Sequence, residues 1–285
     1  MAQDRFITVY STTSAQDSGL FEYLLPIFQA ATGLKVDVAA VGTGEALALG
    51  RRGYADALFV HDRPAEDKFV TDGYGVDRRD VMYDDFVIVG PSNDPAHIRG
   101  LTDVRMALAR IAAARVPFAS RGDDSGTARM EIRLWELADK MELRLWKSWG
   151  VEPDHHEAGW YRPVGQGMGV TLNICAAINA YTLTDRPTWA NFKNRRALVI
   201  LTEGDPKLFN SYSSILVNPA KWPLAKYGDA RIWHEWLSSK AGLDAITSYK
   251  INGEQLFFPP RGEPISNEST ASLNFSRVDS KRVFH

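Results

Sequence analysis

The first third of the chain alternates strand-forming with helix-forming segments, and small or hydroxyl-bearing residues make the turns between them. Phe6 to Tyr10 reads as a buried strand and Ser11 to Ser14 as a polar turn. Ser18 to Ala31 predicts a helix with Leu20, Leu24, Ile27 and Ala31 on one stripe, ended by Gly33. Lys35 to Ala40 is a second strand, Gly42-Thr43-Gly44 a tight turn, Glu45 to Gly50 a short helix and Ala57 to His61 a third strand. A βαβαβ order implies parallel strands, because each helix returns the chain to the same edge of the sheet. Both turns then lie at the carboxyl ends of strands, where open α/β sheets bind ligands.

Asp85 to Gly90 predicts a further strand, and Pro91, Asn93 and Pro95 mark a crossing into a second α/β unit. That unit would hold helices at Asp103 to Ala114, Thr127 to Trp149 and Val170 to Ala180, with strands at Pro117 to Ser120, Ala180 to Leu183 and Leu198 to Leu201. Ser213 to Val217 reads as a strand returning to the first unit, which helices at Asp229 to Lys240 and Leu243 to Tyr249 would close. The expected fold is α/β with two lobes, each a mainly parallel sheet flanked by helices, joined by two crossover strands. Lobe 1 would comprise residues 1–88 and 212–260, and lobe 2 residues 89–211. Residues 261–285, rich in Ser, Asn, Glu and Arg without periodicity, read as a tail or expression remnant.

Composition narrows the function classes. Thirty-three basic residues against 35 acidic ones leave a formal charge of -2, so no charge excess points to nucleic acid as a partner. Cys175 is the only cysteine, which excludes an intramolecular disulfide and a thiolate cluster; its apolar neighbours predict a buried helical thiol. The adjacent His155 and His156 cannot turn both rings to one metal from a regular helix or strand, and neither a metal nor a cofactor is expected. Apolar runs such as Phe86 to Val89 are too short to span a bilayer. The chain enters an apolar strand almost at once, as an exported protein without its signal would. A periplasmic or other extracytoplasmic location is expected, with a lipid anchor an open alternative in a Gram-positive source.

Three turns carry the chemistry. Ser11-Thr12-Thr13-Ser14 presents hydroxyls and free backbone N–H groups at a strand-to-helix junction, which suits an anion or simply a helix cap. Gly42-Thr43-Gly44 repeats the arrangement after the second strand. Arg121-Gly122-Asp123-Asp124-Ser125-Gly126-Thr127 is a third such turn, in the other lobe. Arg121 is its only cation, and Asp123 or Asp124 could instead hold the guanidinium in a surface pair. Gly165 to Gly169 lacks the spacing of a dinucleotide fingerprint. Glu131, Glu136 and Asp139 read as the solvated face of a long helix.

In this order the segments resemble the tungstate-binding proteins of tungstate ABC importers, type II periplasmic binding proteins related to molybdate-binding proteins. The likeness rests on Ser11 to Ser14 with Asp17 to Leu20, Asp56 to His61, Met82 to Pro91, Ser120 to Asp123 with Ser125 to Thr127, Gln166 to Gly169 and Ala180 to Arg186. It implies ligand contacts from Ser11, which replaces a family threonine, and from Thr12, Thr13, Ser14, Thr43, Gly44 and Arg121. Likeness to the molybdate-binding relatives adds Ser125, Gly126, Thr127, the Met168-Gly169 backbone and Thr182.

The resemblance also implies tungstate as ligand, molybdate next, an ABC importer permease as partner, a monomer and no catalysis. Chemistry agrees, since a fully deprotonated dianion needs donors on every side and no acceptor. Two alternatives come from other classes. One is the oxyanion-sensing module of a transcription regulator, although no helix-turn-helix segment precedes Phe6. The other is a serine hydrolase using Ser125 with His155 or His156.

Overall fold

The computed structural model describes residues 5–149 and 159–260. In chain order the elements are β1 (Phe6–Thr12), α1 (Thr13–Asp17), α2 (Leu20–Thr32), β2 (Lys35–Val41), α3 (Thr43–Arg51), β3 (Ala57–Val60), α4 (Arg63–Thr71) and β4 (Gly75–Pro91). Then come α5 (Val104–Ala114), β5 (Phe118–Ser120), α6 (Gly126–Trp149), β6 (Tyr161–Pro163), α7 (Met168–Ile178), β7 (Thr182–Asp185), α8 (Arg186–Asn191) and β8 (Leu198–Thr202). β9 (Phe209–Val217), α9 (Tyr227–Ser238), α10 (Lys240–Ser248) and the short pair β10 (Lys250–Ile251) and β11 (Glu254–Gln255) complete the fold.

β1 lies between β2 and β3, and all three are parallel, as the alternating first third requires. The sheet then runs antiparallel through β9 and β4 to β7, with β8 also on β4. Among the described residues, parallel ladders are β2-β1-β3 and β5 with β6, with single parallel bridges at Leu101–Thr202 and Phe118–Tyr181, and the crossing strands make the large sheet mixed.

β4 is 17 residues long and serves two neighbourhoods. Gly75 to Asp85 pair with β9, whereas Phe86 to Pro91 pair with β7 and β8. One core gathers Leu24, Phe28, Trp233 and Leu237 against β1, and another gathers Phe86, Leu108, Phe118 and Leu134. Each such fully buried side chain contributes about 1.5–3 kcal/mol. The amphipathic stripe of α2 explains its place, since Leu20, Leu24 and Phe28 are sealed while Ile27 stays on the rim.

The expected strand at Asp85 to Gly90 is therefore only the second half of β4. Its first half escapes an apolar pattern because Asp77, Arg78, Arg79 and Asp80 are charged. These pair among themselves and with the buried Glu66, and two register shifts and a positive φ at Asp77 (49°) accommodate them. α4 and α8 were not expected, yet both begin with Asp-Arg-Pro, an Asp at the N-cap position before a proline in the first turn, and the Asp185 side chain caps α8 by accepting the Thr188 N–H. That signal is legible.

Candidate functional site

The expected polar turn at Ser11 to Ser14 is a strand end and the first turn of a helix. Thr12 Oγ1 accepts the Ala15 N–H at 3.4 Å and caps α1, so the chain needs no intervening loop. Ser11 is used within the sheet, its hydroxyl donating to the Phe59 carbonyl at 2.7 Å.

Two glycines let the facing turns meet. Gly44 N–H donates to the Asp124 carbonyl at 2.9 Å, and a Cβ at Gly44 would lie 2.9 Å from that same oxygen. A Cβ at Gly126 would come within 2.6 Å of the His61 carbonyl. Such distances exclude any side chain, which is the physical reason for glycine here. The start of α3, the end of β3 and the β5–α6 loop thereby converge on one closed junction.

Arg121 lies in this junction with 1 % of its surface exposed. Its Nη2 donates to Asp123 Oδ2 at 2.6 Å and, at 3.5 Å, to Thr13 Oγ1. The expected Arg–Asp pair exists but is not a surface pair. Asp123 Oδ1 accepts the Ser125 hydroxyl at 2.5 Å, which orders the loop. Arg121 Nε, Thr43 Oγ1 and Thr127 Oγ1, by contrast, are sealed from solvent without any hydrogen-bond partner. A buried polar group left unsatisfied costs about 1–3 kcal/mol. Three of them on elements that meet at one junction form a donor set that awaits acceptors.

The other expected contacts are already engaged. Thr182 donates to the Ala119 carbonyl at 2.6 Å. Gly169 N–H donates to Asp17 Oδ2 at 3.2 Å. Burial raises the Asp17 carboxyl, which the Gly169 N–H and Arg121 partly offset. Thr12 and Ser14 hydroxyls lie 3.2 Å apart, and Ser14 Oγ lies 3.1 Å from His61 Nε2.

Glu131 is not on a solvated face. It is 1 % exposed, pointing under the Arg121 loop, where it accepts the Tyr161 hydroxyl at 2.8 Å and the Arg121 N–H at 3.3 Å. Burial holds its carboxyl up at about 7, against the pull of those donors. Glu136 is exposed as expected, and Asp139 is intermediate. Cys175 is a buried thiol on α7, and burial raises it. His155 and His156 lie outside the described residues, and the Ser125 hydroxyl serves Asp123. Sequence reasoning missed His61, Asp62, Asp84 and Asn210 as parts of the junction, because their partners come from segments remote in the chain.

A model of the PBP superfamily domain matches residues 2–241. The tungstate-binding protein TupA of Peptoclostridium acidaminophilum is 41% identical over 257 residues, 89% of this chain and 85% of that protein. This chain belongs to the TupA family of the PBP superfamily. The structure of TupA from Desulfovibrio alaskensis G20 agrees with a TM-score of 0.72 at 40% identity, covering 90% of this chain and 99% of that one. That of a tungstate ABC transporter protein from Geobacter sulfurreducens gives 0.71 at 47% identity, covering 86% and 98%. Family membership carries the type II periplasmic-binding architecture with it, and the two crossing strands β4 and β9 are its mark here.

Proposed function

We propose that this chain captures a tetrahedral oxyanion, tungstate first and molybdate next, and delivers it outside the cytoplasm to an ABC importer permease. It acts as a monomer, without catalysis and without a cofactor. Residues 1–88 and 212–260 form one lobe and residues 89–211 the other, and the ligand bridges both. The observation that carries this reading is the set of sealed, unpartnered donors at Thr43, Thr127 and Arg121 Nε. They come from both lobes, and an anion with acceptors on all sides satisfies them together. Thr13, whose oxygen faces Arg121, adds a hydroxyl to the set. Among the described residues no helix is long and apolar enough to cross a membrane. The names of the relatives point to the same ligand.

Isothermal titration with tungstate, molybdate, sulfate and phosphate tests this. Tungstate and molybdate should bind at one site per chain, and the melting temperature should rise with either, since only the folded form assembles both lobes. Phosphate, which carries a proton needing an acceptor, should bind far more weakly. Equal binding of all four anions would refute the reading.

A further inference from the structure

A line of buried side chains leads from the anion junction to the crossing strands. Ser14 Oγ contacts His61 Nε2 at 3.1 Å, His61 Nδ1 contacts Asn210 Oδ1 at 2.8 Å, and Asn210 Nδ2 donates to Asp84 Oδ1 at 2.6 Å. All four residues are at most 4 % exposed. Asp84 and Asn210 face each other in register across β4 and β9, where the chain passes between its two cores. The Tyr212 ring stacks on the imidazole at 4.6 Å and 18°.

The bonding roles follow from atom types. An amide oxygen only accepts, so His61 Nδ1 must carry the hydrogen that meets Asn210 Oδ1. A neutral imidazole has one N–H, which leaves Nε2 as a bare acceptor. The Ser14 hydroxyl therefore donates to Nε2. Thr12 Oγ1 already accepts from the Ala15 amide, so its own hydrogen is free to donate to Ser14 Oγ. Burial holds His61 down at about 4, which keeps the ring neutral.

We infer that His61 is a positioning residue of the anion site. Fixed by Asn210 in the Nδ1–H form, it draws the Ser14 and Thr12 hydroxyl hydrogens inward and leaves Thr13, Thr43, Thr127 and Arg121 as the side-chain donors to the ligand. This deepens, and rests on, the proposed oxyanion function. The four-residue segment Ser11 to Ser14 then leaves one hydroxyl to donate to the ligand, at Thr13. Ser11 is bound to the Phe59 carbonyl, and Thr12 and Ser14 are turned into the His61 chain. The chain has the outward form of a hydrolytic Ser–His relay. Its hydrogen bonds run in the same sense as in such a relay, but a ring held near 4 resists taking up a proton at neutral pH and so makes a poor general base.

The test reads the ring directly. In full-length protein with ¹⁵N-labelled histidine at pH 7.5, the His61 signals are assigned by their loss in His61→Gln. One protonated nitrogen at Nδ1 and one bare nitrogen at Nε2 are expected, with and without tungstate. An Nε2–H ring or an imidazolium would overturn the inference. Titration calorimetry with tungstate on single variants provides the second arm. Thr13→Val should weaken binding roughly fivefold or more, and Ser14→Ala by clearly less, as one net hydrogen bond predicts. Equal losses would overturn the inference as well. A wild-type chain that binds no tungstate would instead refute the proposed function, while the ring measurement on the ligand-free protein still decides the role of His61.

Discussion

Two contacts join the β5–α6 region to the β1–α4 region, both use arginine, and they are completed in opposite ways. At Asp62 every charge is answered. Its Oδ1 accepts Arg133 Nη1 at 2.8 Å, its Oδ2 accepts Arg129 Nη1 at 3.0 Å, and Arg129 Nε reaches Asp124 Oδ1 at 2.7 Å. At Arg121 the guanidinium has one carboxylate, its Nε has no partner, and the hydroxyls of Thr43 and Thr127 have none. A saturated network gains little from an added anion and holds what is already there. An unsaturated, buried one favours a ligand that brings acceptors, because such a ligand removes the penalty of its bare donors.

The largest break in this comparison is Arg121→Ala. A charge-assisted hydrogen bond is worth about 1.5–3 kcal/mol, so tungstate binding should weaken by about tenfold to more than a hundredfold. Thr43→Val, which removes one neutral donor, should cost roughly fivefold. Calorimetry that finds Arg121→Ala as tight as wild type would show that the guanidinium serves Asp123 alone.

Breaking the saturated contact should do less. Asp62 is buried, but Arg129 and Arg133 are about one-third exposed and screened by solvent. Asp62→Asn should speed tungstate release about two- to tenfold. Stopped-flow displacement measures this, and the difference from wild type should shrink as salt is raised. A loss as large as that of Arg121→Ala would erase the distinction between the two contacts.

The smallest effect sharpens the comparison from behind the Arg121 loop. Glu131 keeps its proton in the folded protein up to about 7, whereas its ordinary value is 4.5. Between these values the folded state binds the extra proton. The stability this contributes is full below 4.5 and is lost as pH rises through 7. The melting temperature of the ligand-free protein should therefore decline across that window, and Glu131→Gln should flatten part of the slope. Identical slopes in both proteins would remove Glu131 from the account.

Much of the fold was legible because its signals are local. The period of α2 and the glycine after it arise within a dozen or so residues, and the alternation of β1 to β3 is a succession of such local signals; together they dictate a parallel start to the sheet. β4 was legible only where its neighbours are apolar. Its charged half pairs with β9 residues such as Ser213 and Ser214, which are more than a hundred residues away along the chain. At the proposed site, the sequence pointed to Arg121 and Thr43 through turn chemistry and the family resemblance, and to Thr127 through likeness to the molybdate-binding relatives. It could not distinguish them from Ser11, Ser125 and Thr182, whose hydroxyls have the same composition and the same kind of turn or strand end.

By itself the sequence determined the α/β class, the two crossings and the three hydroxyl- and glycine-rich turns, since these depend on propensity, periodicity and backbone freedom. The tertiary structure decided which polar groups are already spent. A hydroxyl is a ligand contact or a sheet tie according to what lies within 3 Å of it. For Ser11 that is the carbonyl of Phe59, and for Glu131 it is a tyrosine hydroxyl beneath the Arg121 loop. Those partners are tens of residues away along the chain, and hydrogen bonding acts through space at short range.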